Sequence, residues 1–304
     1  MNKTTDYKAM INQAIKYIET HITEDINVEI VAKHIYVSSF HFQRVFSLYC
    51  GVSVGEYIRN RRLTLAVNDL SNRKTVLDTA LKYGYQAQES FSRAFKRFHG
   101  CLPSEMERKG RELRVFMKIR EIKTKGVNNM KYKIETGNAI TLVGFKKRFT
   151  GVPYGEQRQV QEREFAKTTR AKQWLLLGAS CDYTTTYAVI TNVDDTGYDY
   201  YIAYELDEPT RNDLFNPSVT GVDFMDKMGY EIVCIPRQKY VVFETDKKRR
   251  PIVDYQSLRK AIIEEWLPST QHQFINAPEI VKMCWRPHGD WEKERYIAIY
   301  MPIA

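Results

Sequence analysis

Two segments of the sequence carry the same polar and aromatic residues at the same spacing, in a pattern suited to reading bases. The pattern F-x-R-x-F-x4-G-x4-E begins at Phe42 and recurs from Phe91, at a constant offset of 49 residues. Arginine can donate two hydrogen bonds to guanine, glutamine can pair in the same way with adenine, and a phenylalanine ring can contact a thymine methyl group. The repeat therefore predicts two copies of a base-reading element.

Helical periodicity divides each copy into two faces. The apolar faces are formed by Phe42, Val45, Phe46 and Tyr49 in the first copy and by Phe91, Ala94, Phe95 and Phe98 in the second. The residues predicted to point outward are Phe40, Gln43, Arg44 and Ser47 in the first copy and Glu89, Ser92, Arg93 and Lys96 in the second. An ordinary solvated face would explain one such helix, but two matched copies favour a shared role.

Each copy follows a shorter helical pattern and a tight connection. The first short helix carries an apolar stripe at Val28, Val31, Ala32 and Ile35, and the second carries one at Val76, Ala80, Leu81 and Tyr83. Ser38 is placed to cap the first outward-facing helix, and Gly84 is suited to the turn before the second. This spacing predicts two helix-turn-helix units. A longer helix from Ser53 would join them, with Arg59, Arg61 and Arg62 available for phosphates.

The charge distribution favours a polyanionic partner for this part of the chain. Residues 1–127 contain 22 Lys and Arg against 13 Asp and Glu, so they carry the whole formal net charge of +9. The excess coincides with the two helix-turn-helix units, which indicates binding to double-stranded DNA.

Composition also excludes several classes of protein. The 5 cysteines are scattered and form no C-x-x-C pair, which argues against a zinc cluster or a disulfide framework. We expect no metal and no cofactor. The sequence has no signal peptide pattern and no apolar run of membrane-spanning length, so we expect a cytoplasmic protein that does not bind a membrane.

The first 110 residues resemble the DNA-binding domain of the AraC/XylS transcription regulators. The resemblance is carried by AKHIYVSSFHFQRVFSLYCGVSVGEYIRNRRL and by ALKYGYQAQESFSRAFKRFHGCLPSEMERK. It implies that two recognition helices of one chain enter successive major-groove segments. Val54 stands where many members have proline, and Met106-Glu107 departs from the usual ending. The base-reading positions that the resemblance implies are Phe40, Gln43 and Arg44, and Gln88, Glu89, Ser90 and Arg93.

Glu89 is an unusual residue for a surface that faces phosphates. A carboxylate there is repelled unless it accepts a hydrogen bond from a base amino group such as cytosine N4. A structural role for Glu89, or a role in rejecting other sequences, is an equal alternative.

After residue 129 the periodicity changes to that of an α+β domain. Strands are predicted near residues 132–134, 140–144, 187–191, 198–206, 230–235, 239–245, 279–286 and 295–302, and helices over about 157–177 and 255–267. The order strand, helix, strand, strand occurs twice. It predicts a pseudo-twofold domain with a concave junction between the halves.

This second region resembles the GyrI-like, or SHS2-type, effector-binding domain, and the whole chain resembles the Rob-like regulators. The resemblance is carried by YDYYIAYEL, IPRQKYVVFET, EEWLPST and YIAIYMPI. It implies a cleft that binds a small hydrophobic or cationic molecule. Alternation along residues 198–206 places Tyr201 and Glu205 on one face, and Trp285, Trp291 and Tyr300 are candidates for further walls.

One departure bears on the charge of that molecule. Members that bind cations carry a P-x-x-E-x-Y sequence in the strand after EWLP, whereas this chain has Val281 and Met283 at those positions. A cation would then need Glu279 or Glu205 as its counter-charge, and a neutral ligand is equally compatible.

We therefore predict an all-α double helix-turn-helix domain over residues 1–112, a linker over 113–129 that is helical or partly flexible, and an α+β GyrI-like domain over 130–304. The leading function is a ligand-modulated transcription regulator, with RNA polymerase retained as a candidate partner. A second hypothesis makes the C-terminal domain a protein-interaction module. A third makes it a small-molecule hydrolase with Glu205 beside Tyr201, but no Ser-His-Asp or metal constellation supports an enzyme.

Overall fold

A computed structural model describes residues 7–106, 113–119, 130–221, 227–267, 270, 272–285 and 294–304. The chain divides into two compact units, a helical unit within residues 6–123 and a sheet unit within residues 124–304. In the described ranges, no helix combines the length and the apolar character needed to cross a membrane.

The described residues of the helical unit form six α-helices, as the two predicted helix-turn-helix units require. They are α1 (Tyr7–Thr20), α2 (Val28–His34), α3 (Ser39–Cys50), α4 (Val54–Ser71), α5 (Val76–Lys82) and α6 (Gln88–His99). The two outward-facing helices of the sequence analysis are α3 and α6, and each ends on a glycine with positive φ, Gly51 and Gly100. Such a residue closes a helix without the steric cost that a Cβ atom would add.

The two copies differ by one residue in the connection that leads into the recognition helix. The first helices of the two units, α2 and α5, are offset by 48 residues, whereas α3 and α6 are offset by 49. The turn therefore places Tyr36, with φ 59°, where the second copy has Gly84, with φ 78°. The hydroxyl of Ser38 accepts a hydrogen bond from the His41 N–H at 3.3 Å, but the equivalent Ala87 provides no side-chain cap.

Residues 113–119, which we call the strap, form no helix or strand and pack against α4. The Phe116 N–H donates to Thr64 Oγ1 at 3.0 Å, and the Phe116 carbonyl accepts from Arg61 Nη1 at 2.8 Å. The Phe116 ring lies edge-on to Tyr57. The sequence analysis predicted a helical or partly flexible segment here, and the helical alternative is wrong for the described residues. Its weak apolar stripe is outweighed by these contacts.

Within its described ranges, the sheet unit has eight strands in one antiparallel sheet and four α-helices. The strands are β1 (Lys133–Gly137), β2 (Ile140–Thr150), β3 (Thr185–Thr191), β4 (Gly197–Glu205), β5 (Glu231–Ile235), β6 (Gln238–Glu244), β7 (Glu279–Cys284) and β8 (Tyr296–Pro302). The helices are α7 (Gly155–Ala179), α8 (Glu208–Leu214), α9 (Pro217–Thr220) and α10 (Pro251–Ala261), which continues as a π-helix over Ile262–Trp266. The α+β class is confirmed.

The strand order β1-β6-β8-β7-β3-β4-β2-β5 shows the predicted twofold repeat. Strands β3 and β7 pair at the centre, and the sequences β2-α7-β3-β4 and β6-α10-β7-β8 are the two halves. The outermost strands are exchanged, because β1 pairs with β6 of the second half and β5 pairs with β2 of the first. This exchange was not predicted from the sequence.

The two faces of the curled sheet have different neighbours. One face forms a core cluster that includes Tyr187, Tyr201, Val242 and Ile280. The other face lies toward α7 and α10, where Tyr200 stacks on Phe149 with 4.7 Å between ring centroids. Residues alternate between these faces along each strand. The face on which a side chain lies therefore decides whether it can reach the space between the two helices.

Candidate DNA-reading helices and ligand cleft

The exposed surface of α3 is narrower than predicted. Phe40 and Gln43 are partly exposed, but Arg44 is 7% exposed and Ser47 5% exposed. The prediction that Arg44 and Ser47 point outward is therefore wrong in this structure. Arg44 and Ser47 are next to Val45 and Phe46 of the apolar face. They are buried as well, because α3 is in contact with α1, α2 and α4.

The second recognition helix, α6, has the exposed face that the periodicity predicts. Gln88, Glu89, Arg93 and Lys96 are exposed, and Ser90 and Ser92 are partly exposed. Phe91, Phe95 and Phe98 on the opposite side are buried in a core cluster that also holds Met106. The Ser90 hydroxyl donates to the Ala87 carbonyl at 2.7 Å, so it also closes the first turn of the helix.

Of the three α4 arginines predicted for phosphates, Arg59 alone is fully exposed. Arg61 is 8% exposed and donates from Nε and Nη2 to the two carboxylate oxygens of Glu19, at 2.8 and 2.9 Å. Burial of Glu19 opposes ionisation, but the hydrogen bonds from Arg61 and Tyr57 lower its pKa below the ordinary value. Arg62 donates to the carbonyls of Ile22 and Glu24. The prediction that Arg61 and Arg62 stay available is wrong, because both hold α4 to the chain around α1.

Sequence comparison decides the family. A helix-turn-helix domain family matches residues 31–109. SoxS, a regulatory protein of Salmonella typhimurium, is 36% identical over 100 residues, which are 33% of this chain and 94% of SoxS. The chain belongs to the AraC family. The transcriptional activator AarP of Providencia stuartii is 36% identical over 104 residues, which are 34% of this chain and 77% of AarP. This AraC-family chain is a DNA-binding transcription regulator.

The family match at residues 31–109 lies within the helical unit. Among solved structures, that of SAV2435 bound to tetraphenylphosphonium is similar over 58% of this chain and 94% of that chain. The sequence identity is 19% and the TM-score 0.41.

A cleft of about 440 Å³ lies between α7 and α10, over the centre of the sheet. Its floor is formed by side chains of β3, β4 and β7, and its walls by the two helices. The residues that form the floor are Thr186, Ala188, Tyr200, Ile202, Val281 and Met283, with Trp285 at one end. Gln159 of α7 donates to Gln256 of α10 across the cleft at 2.8 Å. Beyond this amide pair lies a second pocket of about 410 Å³, lined by Tyr154, Arg158 and Arg259 among others.

Two arginines and two carboxylates are paired beneath the cleft. Arg158, 2% exposed, donates from Nε to Glu162 at 2.6 Å, and Arg259 donates from Nη2 to the buried Glu279 at 2.9 Å. Arg158 Nη1 also lies 3.8 Å from Glu279. Burial alone would lower the pKa of Arg158, but Glu162, Tyr255 and Glu279 hold it well above the ordinary value. With two guanidinium groups and two carboxylates, the cluster has a formal net charge of zero.

The structure does not bring the five predicted ligand residues together. Trp285 lines the cleft, and Trp291 lies outside the described residues. Tyr201 and Tyr300 pack in the cluster on the opposite face of the sheet, and Glu205 accepts from the Tyr187 hydroxyl at 3.4 Å. The prediction of one site shared by Tyr201, Glu205, Tyr300 and Trp285 is wrong. Strand alternation separated the two faces of β4 correctly, but it could not show which face the helices cover.

Proposed function

We propose that this AraC-family regulator is controlled by a small molecule that binds in the cleft between α7 and α10. The observation that carries the proposal is an apolar, partly aromatic floor beneath a space large enough for a small ligand. The similarity of the sheet unit to the GyrI-like domains, seen in its strand-helix-strand-strand repeat, supports the same role. The ligand-contacting residues would be Tyr200, Ile202, Val281, Met283 and Trp285.

On the DNA side we propose that α3 and α6 read bases in adjacent major-groove segments. Among the predicted base-reading positions, those that are exposed or partly exposed are Phe40 and Gln43 of α3, and Gln88, Glu89, Ser90 and Arg93 of α6. Arg44 is buried in the structure, so it can contact a base only if DNA binding exposes its side chain. Because both helices belong to one chain, a monomer should protect one asymmetric site whose half-sites are about 10 bp apart.

The cleft proposal is tested by comparing two single variants of the full chain, Trp285→Phe and Tyr201→Phe. A ligand found by thermal shift should bind more weakly to Trp285→Phe, whereas Tyr201→Phe, on the opposite face of β4, should bind it as the parent chain does. At a free concentration about 100 times Kd, a ligand specific for the folded state should add about 2.7 kcal/mol to stability. Loss of binding in Tyr201→Phe alone would assign the ligand to the other face.

The protein-interaction hypothesis has one observation in its favour. Trp174 and Leu175, adjacent on α7, are 57% and 51% exposed. If a broad panel of metabolites and drugs left the melting temperature unchanged, the cleft proposal would fail. The interaction hypothesis would then be preferred.

A further inference from the structure

Both carboxylates at or next to the cleft, Glu162 and Glu279, are already paired with arginines, which bears on the charge of the ligand. Glu162 is the one carboxylate among the described residues that line it, and its Oε1 accepts from Arg158 Nε at 2.6 Å. Glu279, two residues before Val281 on β7, is 1% exposed and accepts from Arg259 Nη2 at 2.9 Å. A cationic ligand would have to break one of these pairs. Exposing a buried partner in that way is costly.

Arg163 gives the lining an uncompensated positive charge. It is exposed on α7 and lines the cleft, and it takes part in none of the ion pairs or hydrogen bonds of the described residues. The remaining polar side chains of the described walls are uncharged: the amides of Gln159, Gln173 and Gln256, and the hydroxyl of Tyr255. A guanidinium at the rim of an apolar pocket is matched by a planar carboxylate, which it can meet with two parallel hydrogen bonds.

The floor supplies the apolar half of the match. Val281 and Met283 of β7 line the floor, where Val281 lies opposite Ala188 of β3, and none of the described floor residues carries a charged side chain. From these observations we infer that the ligand is a flat apolar molecule bearing a carboxylate, with its apolar body over Val281 and its acidic group toward Arg163. The inference rests on the proposed function and specifies its ligand class.

Three naphthalene derivatives of nearly equal size provide the test: 2-naphthoate, 2-naphthylmethanol and 2-naphthylmethylammonium. Calorimetric titration of the full chain should give the tightest binding for the carboxylate. Its advantage over the alcohol should be about threefold, because an ion pair at an exposed arginine is screened by solvent. The ammonium compound should bind at least about tenfold more weakly than the carboxylate. Its positive charge is repelled by Arg163, and Glu162 is already paired with Arg158. Equal or tighter binding of the ammonium compound would overturn the inference.

Matched variants locate the effect. Arg163→Gln should remove the advantage of the carboxylate while leaving the affinity for the alcohol unchanged. Lys167→Gln, one turn further along α7 and outside the cleft lining, should change neither. If both variants reduced carboxylate binding equally, the effect would be one of general surface charge and the role of Arg163 would be rejected.

A converse variant tests the apolar floor. Val281→Glu places a carboxylate on the floor of the cleft and should shift the preference toward the ammonium compound, whereas Val281→Gln, which is isosteric with the Glu variant but uncharged, should not. If Val281→Glu does not fold, the comparison of Arg163→Gln with Lys167→Gln still tests the inference. Absence of binding by all three compounds to the parent chain would overturn this assignment of ligand class. The panel of the preceding section tests separately whether the cleft binds any ligand.

Discussion

At the scale of single residues, Tyr36 stands out because its backbone and its exposure are both unfavourable. It has φ 59° and is 93% exposed, at the turn position that Gly84 fills in the second copy. A non-glycine residue in the left-handed region costs about 1–2 kcal/mol, which exceeds the entropy of roughly 0.5–1 kcal/mol that glycine loses on folding. Tyr36→Gly should therefore raise the free energy of unfolding by about 0.5–1 kcal/mol, measured by urea denaturation.

The matched control is Tyr36→Ala, which removes the ring but keeps a Cβ atom in the strained conformation. It should give little or no gain in stability. An equal gain in both variants would show that the exposed ring, rather than the backbone, is the source of the cost.

Asp69 makes the stability of the second helix-turn-helix unit depend on acidity. It is 6% exposed, and Lys82 and Lys74 lie 2.6 and 2.9 Å from its two carboxylate oxygens. Burial would raise the pKa of Asp69, but the hydrogen bonds from Lys82, Lys74 and Tyr83 hold it at about 2. Because this pKa lies below the unfolded value of 3.8, the stabilisation is complete above pH 4 and is lost as the pH falls toward 2.

Asp69→Asn should accordingly lower the free energy of unfolding at pH 7 by roughly 1–2 kcal/mol, a range reduced because both lysine side chains are partly exposed. The difference between variant and parent should shrink between pH 4 and pH 2, as denaturant melts at each pH would show. A difference that stayed constant over this interval would mean that the ion pairs contribute no net stability.

Arg44 and Ser47 show where residue-level prediction ends. Their positions on the wheel were correct, as the burial of Phe42, Val45 and Phe46 shows. The width of the buried face of α3 depends on how closely α1, α2 and α4 approach it. The sequence of α3 alone does not contain that information. The second copy, by contrast, was predicted correctly because α6 has a wider solvated face.

At the scale of elements, the strap is the part of the helical unit that its own sequence least predicted. Its apolar pattern is weak, and its attachment depends on backbone groups of Phe116 that meet Arg61 and Thr64, more than 50 residues earlier. Phe116→Ala should lower the stability of the helical unit by about 1–2 kcal/mol, since the ring is partly buried against Tyr57. Met117→Ala is the control, because Met117 is 68% exposed. Equal effects of the two substitutions on urea unfolding would contradict the packing role.

The sheet unit shows a different balance between prediction and structure. The strands and the two long helices, α7 and α10, followed from periodicity, whereas the short helices α8 and α9 were not predicted. The exchange of β1 and β5 between the halves, and the choice of β4 face, depend on contacts between distant segments. Tyr200 and Ile202 were therefore missed as cleft residues although they lie beside Tyr201.

At the scale of the whole molecule, the excess positive charge and the helical unit coincide in the first part of the chain, which favours DNA binding by that part. Residues 1–127 hold the entire net charge, and the helical unit lies within residues 6–123. A fragment of residues 1–123 should fold alone and bind a cognate site with the same dependence of log K on log salt as the full chain, because each phosphate contact contributes about −0.9 to that slope on duplex DNA. Fluorescence anisotropy across a salt series measures both slopes.

A fragment ending at residue 106 is the sharper comparison, since it lacks the strap and should unfold at a lower urea concentration while keeping α3 and α6. If residues 1–123 did not fold, or bound with a shallower slope, the second unit would have to supply part of the core or part of the DNA surface.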